Sequence, residues 1–141
     1  MLKGISNILP PELLKILMEM GHGDEIVIAD GNFPAASHAQ RLVRCDGHGA
    51  PQLLDAVLQL FPLDTFVKTP VALMAVVPGD NYSPEIWPAY KKIIQKHHPN
   101  FADFETIERF KFYERARQAY AIVATGEMAR YANLILKKGI L

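Results

Sequence analysis

The sequence predicts a single-domain α/β sandwich with a largely parallel sheet. Short apolar segments of strand length alternate with longer segments whose apolar residues recur at helical spacing. The strand-like segments are apolar along nearly their whole length, as in strands covered on both faces. No linker, repeat or low-complexity segment divides the 141 residues, and 50% of them are apolar, enough for one real core.

The elements follow in order. "PPELLKILMEMG" reads as a helix, with proline in the first turn, where a missing N–H costs nothing, and with Leu13, Leu14, Leu17 and Met18 on one face. Gly21 is its expected stop. "EIVIAD" is a buried strand, and a polar loop, "GNFPAASHAQ", leads to a second strand, "RLVRCD". "PQLLDAVLQLF" is a helix with Leu53, Leu54, Val57, Leu58 and Phe61 inward. "VALMAVV" is a third strand, closed by "PGDNYSP". Ser83 is the expected cap of a helix through "PEIWPAYKKIIQKHH", which places Pro88 near its first turn. "FETIERF" is a strand leading into a short helix, "YERARQA"; "YAIVAT" is a strand, "GEMARY" a turn or a single helical turn, and "ANLILKKG" a last strand.

Charge and composition exclude several classes. Lys plus Arg is 15 and Asp plus Glu is 15, so there is no basic face or tail for a nucleic acid. No apolar run reaches the roughly 18 residues of a membrane span. The first residues lack the apolar segment and cleavage site of a signal peptide. Cys45 is the only cysteine, so no internal disulfide forms, and a soluble, cytoplasmic protein is expected. Cys45 lies within a strand pattern and reads as core, not as a nucleophile. The five histidines show no HExxH spacing, so no zinc site is expected, and no GxGxxG or P-loop marks a nucleotide.

Three places carry candidate chemistry. His22 stands between Gly21 and Gly23 in "GHGDE", without bulky neighbours. A histidine here can simply meet the negative end of the preceding helix, or it can carry protons for a substrate. Asp30 ends the next strand, at the edge where open α/β sheets place ligands. The two start at opposite ends of that strand, so their meeting within one subunit is left open. Tyr131 and Asn133 are two apart and share a face in an extended segment; together they could hold two hydroxyls, or they could be a packing residue and a turn former. Arg109 stands at a strand-to-helix junction beside Phe110, where a guanidinium can point into a cleft.

The blocks "LLKILMEMGHGDEIVIADGNFPA", "RFKFYERARQAYAIVATGE" and "YANLILKKG" appear in one order and resemble the bacterial L-fucose mutarotase family, relatives of D-ribose pyranase. The resemblance covers residues 1 to 139. It implies a three-layer α/β sandwich assembled into ring-shaped decamers, with sites near subunit boundaries. It implies an isomerase that exchanges the α and β anomers of a free sugar, most naturally L-fucose, and needs no cofactor; a D-ribose pyranase-like side activity stays open. It implies that His22 transfers the proton, that Asp30 and Arg109 hold the sugar, and that Tyr131 and Asn133 bind hydroxyls, with Ala132 between them contributing backbone.

These residue types suit that chemistry. One group removes the proton of the anomeric hydroxyl while another protonates the ring oxygen. The ring opens to an aldehyde, the C1–C2 bond rotates, and the ring recloses on the other face. An imidazole gives and takes protons near neutral pH, and positioned acid/base catalysis contributes roughly 10²–10⁴-fold. The alternative is a non-catalytic sugar-binding or sugar-sensing protein on the same scaffold, which needs no proton carrier.

Overall fold

The structure, a computed structural model, describes residues 1–141. Six strands, β1 (Glu25–Ala29), β2 (Leu42–Cys45), β3 (Val71–Met74), β4 (Glu105–Ile107), β5 (Ala121–Thr125) and β6 (Leu134–Lys137), form one sheet in the order β2-β5-β1-β6-β3-β4. β1, β2 and β5 run parallel, as do β3 and β4, while β6 is antiparallel to both β1 and β3. Five strands therefore point one way and one opposes them. The sheet is largely parallel, as the continuous apolar runs predict, but it is mixed at its centre.

Strand alternation divides the core into two layers. Ile26 and Ile28 of β1 face one way, with Val123, Leu134 and Leu136. That face packs on α1 (Pro11–Glu19), α3 (Ala50–Leu58) and α4 (Ile86–His97) through Leu13, Leu17, Leu53, Leu54, Val57, Tyr90 and Ile94. Val27 and Ala29 face the other way, with Ile122, Ala124 and Ile135. There they meet the four-residue α2 (Ala35–His38) and α5 (Arg109–Gln118) through Phe33, Ala35, Phe112 and Ala116. Helices cover both faces, giving three layers. Arg115 fastens the second layer to the sheet, since its guanidinium donates to Glu25 at 2.7 and 2.9 Å and to Glu105 at 3.0 Å. No helix is long and apolar enough to cross a membrane.

Several local expectations are corrected. The inward stripe of α1 is Leu13, Ile16 and Leu17, while Met18 is exposed. Gly21 does not form a left-handed cap; Met20 turns extended, and the Lys138 ammonium takes the last carbonyls, at 2.7 Å from Leu17 O. No side chain caps α4, which begins at Ile86 and leaves Ser83 in the preceding loop. The loop after β1 contains α2, which buries Ala35. The last helix starts at Arg109, four residues before "YERARQA". Glu108 caps it by accepting from the Phe110 and Lys111 N–H groups at 3.0–3.1 Å. Glutamate is not a usual cap, so the sequence carries no clear start signal there. The last strand is where the sequence places it: Leu134, Ile135 and Leu136 are fully buried in β6, and only Ile140 and Leu141 beyond it are exposed.

Candidate functional site

Topology brings Asp30 and Asn133 together although they are 103 residues apart. β6 runs antiparallel beside β1, with Leu134 opposite Ile28. The residue before β6 therefore lies beside the residue after β1. Asp30 N–H donates to Asn133 Oδ1 at 2.8 Å, and Asn133 Nδ2 donates back to Asp30 Oδ2 at 2.9 Å. Asn32 N–H donates to Asp30 Oδ1 at 3.0 Å. Both side chains are buried, Asp30 at 7% and Asn133 at 5% exposure. Burial pushes the Asp30 carboxyl above its ordinary value, and the N–H groups of Asn32 and Phe33 and the Asn133 amide hold it back in part.

Tyr131 reaches the same place by a different route from the one its spacing suggests. It lies in a turn at φ 58, a left-handed conformation, and not in an extended segment. Neighbouring aromatic groups hold that turn. Trp87 Nε1 donates to Tyr131 O at 2.8 Å, and Tyr90 Oη donates to Ala132 O at 2.7 Å. The Tyr131 phenol donates to Asp80 Oδ2 at 2.7 Å. Arg109, the first residue of α5, donates through Nε to Tyr113 Oη at 3.2 Å.

Asp30, Arg109, Tyr131 and Asn133 thus line one cavity of about 270 Å³, with Phe33, Met74, Val77 and Tyr113 in its walls. Ala132 is fully buried and does not line it; its carbonyl is taken by Tyr90. The cavity opens at the C-terminal end of β1, the usual ligand edge of an open α/β sheet. It combines a buried carboxylate, the guanidiniums of Arg109 and Arg130, a carboxamide and a phenol with partly apolar walls. That set suits a small neutral ligand with several hydroxyls.

His22 lies elsewhere. It sits in the turn before β1, where Gly23 takes φ +87, a conformation glycine adopts without strain. β1 has five residues, which at about 3.3 Å each separate its ends by roughly 16 Å. At its own end His22 Nε2 is 3.2 Å from Asp64 Oδ1, and its ring lies 5.4 Å from that of Phe66. The Phe66 N–H donates to Asp64 at 2.9 Å; that bond first, then His22, holds the Asp64 carboxyl below the usual carboxylate range. An ionised carboxylate only accepts, so Nε2 carries the proton of this pair and Nδ1 is left free. A larger hollow of about 400 Å³ opens beyond Asp64, walled by Lys68, His98 and Phe101, but it holds none of the four converging residues.

Comparison with known proteins decides the family. A profile of the RbsD / FucU transport protein family matches residues 3–141. The chain belongs to that family. An L-fucose mutarotase of Actinobacillus pleuropneumoniae serotype 5b is 48% identical over 140 residues, covering 99% of this chain and 97% of that protein. The fucose mutarotase of Homo sapiens is 53% identical over 146 residues, covering 99% and 94%. The crystal structure of the fucose mutarotase of Streptococcus pneumoniae in complex with L-fucose superposes with a TM-score of 0.94 at 52% identity, covering 99% of each chain.

Within this RbsD / FucU fold, the resemblance read from three sequence blocks corresponds to three structural positions. "GHGDE" forms the turn before β1, "RFKFYERA" opens α5, and "TGEMARYAN" is the turn between β5 and β6. Sequence reasoning missed Asp64 and Asp80, which contact His22 and Tyr131 from loops 42 and 51 residues away. No local spacing could have found either. Cys45 is buried, and burial pushes its thiol up to about 11, which leaves it an inert core residue.

Proposed function

We propose that this protein is a sugar mutarotase that interconverts the α and β anomers of free L-fucose. The observation that carries the reading is the convergence of Asp30, Arg109, Tyr131 and Asn133 on one cavity of about 270 Å³. The names of its relatives, L-fucose mutarotase and fucose mutarotase, supply the substrate and the reaction.

The chemistry divides between the two ends of β1. Asp30 and Asn133 fix one set of sugar hydroxyls, and Arg109 and Tyr131 another. His22 takes the proton of the anomeric hydroxyl and returns it to O1 when the ring closes. The C1–O5 bond breaks as the ring oxygen gains a proton from water and C1 becomes an aldehyde; after C1–C2 rotation O5 adds to the other face of C1 and gives that proton back to water, which yields the other anomer. Asp64 accepts from Nε2, so Nδ1 is the nitrogen that exchanges the proton. Because His22 stands across the sheet from its own cavity, it serves the cavity of a neighbouring subunit. Exposed Phe66 beside His22, at 73%, and exposed Phe110 beside Arg109, at 67%, support a contact of that kind. The assembly is a ring-shaped homo-oligomer, a decamer, in the cytoplasm. Light scattering that returns the 15.8 kDa monomer at micromolar concentration overturns it.

NMR saturation transfer between sugar anomers tests the activity directly. The expected result is faster exchange of L-fucose anomers with protein than without, and less or none for D-ribose. Binding of L-fucose with unchanged exchange would establish the sugar-binding or sensing alternative instead.

A further inference from the structure

Asp80 lies in the loop after β3, outside every block of the family resemblance, yet its carboxylate is the partner of the phenol in the cavity. Its two oxygens have different roles. Oδ1 accepts from Tyr82 N–H at 3.0 Å, which holds the loop against it. Oδ2 accepts from Tyr131 Oη at 2.7 Å and has Arg130 Nη1 at 3.4 Å. The rings close the arrangement: Tyr82 stacks on Tyr131 with centroids 5.9 Å apart, and the Arg130 guanidinium lies 4.1 Å over Tyr82.

The hydrogen-bonding capacity of the phenol then follows by elimination. A tyrosine hydroxyl has one proton to give and two lone pairs. The proton goes to Asp80, and Val77 N–H donates to one lone pair at 3.3 Å. One lone pair is left for a ligand. We infer that Asp80 is a positioning residue that makes Tyr131 a hydrogen-bond acceptor toward the sugar, so that the Tyr131-facing group of the substrate is a hydroxyl donating its proton. A ring oxygen, carbonyl or ether cannot take that place. The same bond with Asp80 is the main reason the phenol is pushed above its ordinary pKa. The left-handed turn at Tyr131 and the Trp87 bond to its carbonyl fix the backbone, and Asp80 fixes the remaining freedom of the side chain. This inference rests on the cavity being a sugar site.

The test is a double-mutant cycle with Asp80→Asn, Tyr131→Phe and the double variant, read by calorimetric L-fucose affinity, anomer exchange and a melting curve. Asn keeps one acceptor oxygen, so it retains the Tyr82 N–H bond and loses the pull on the phenol. Asp80→Asn is expected to weaken L-fucose binding several-fold, raising KM more than it lowers kcat. In the Tyr131→Phe background the same change is expected to do nothing further. Wild-type affinity in Asp80→Asn, or losses that simply add in the double variant, overturns the inference. A second measurement needs no variant at Asp80. Among monofluorinated L-fucose analogues, each lacking one donor hydroxyl, one should lose affinity for wild type yet lose no more for Tyr131→Phe. If none does, the acceptor role is wrong. Failure of the wild type to bind L-fucose at all removes the sugar reading itself, and this inference with it. Wild-type binding with an indifferent Asp80→Asn removes this inference alone.

Discussion

Asn133 grips Asp30 from both sides, accepting the Asp30 N–H at 2.8 Å and donating to its carboxylate at 2.9 Å. The carboxylate is thereby fixed in place while buried, in the wall of the cavity. The arrangement depends on β6 running against β1, because only that direction brings the residue before one strand to the residue after the other.

The first prediction concerns pH. Burial raises the Asp30 pKa, so between the ordinary carboxylate value and the raised one the folded protein binds more protons than the unfolded chain. Stability contributed by Asp30 therefore falls as pH rises through that window and is regained as pH falls through it. Asp30→Asn lacks the titration. Wild type should accordingly gain stability relative to Asp30→Asn as pH is lowered from 7 toward 4 in urea unfolding. A difference that stays flat, or moves the other way, contradicts it. Sugar binding should be lost in the variant at every pH.

His22→Gln separates the helix-end reading from the proton-carrier reading. The side chain is 45% exposed, and Asp64 keeps its bond from the Phe66 N–H when the imidazole is lost. The melting curve should move little, and much of the L-fucose affinity should survive. Anomer exchange should fall by roughly 10²-fold or more, because glutamine cannot carry a proton near neutral pH. A folded variant exchanging anomers at the wild-type rate would move the proton carrier elsewhere.

Arg109→Lys tests the guanidinium. Arg109 is exposed at the start of α5, so stability should stay within about ±0.5 kcal/mol. Sugar affinity should drop, since an ammonium cannot reproduce a two-pronged contact or the bond to Tyr113. Calorimetry showing unchanged affinity removes Arg109 from the site.

Gly126→Ala probes the turn that carries Tyr131 and Asn133. A Cβ at Gly126 would overlap the Asp46 carbonyl oxygen, and Gly126 N–H already donates to His48 O at 2.9 Å. Backbone must move, at a cost of about 1–3 kcal/mol. Melting temperature and L-fucose affinity should fall together. A normally stable variant with full affinity would show that this close approach does not position the site.

Continuous apolar runs such as "EIVIAD" and "YAIVAT" determined buried strands, because a strand covered on both faces has no polar side. Alternation with helical spacing determined helices on both faces, and the blocks around Arg109 and Tyr131 held two residues that line one cavity, while the block around His22 lies at the other end of β1. What the sequence did not determine is nonlocal. The reversed direction of β6 is decided by pairing with β1 and β3 at once, and nothing in "LILK" encodes direction. Tyr131 looked extended but is left-handed, in a turn whose carbonyls at Tyr131 and Ala132 are bonded by Trp87 and Tyr90 of another element. Asp64 and Asp80 became partners of His22 and Tyr131 only when loops from distant parts of the chain came together. That His22 and Asp30 start at opposite ends of one strand was legible; that the chain does not fold back to join them was decided by the structure. The meeting of Asp30 with Asn133 was not, since a hydrogen bond across 103 residues exists only after the sheet has formed.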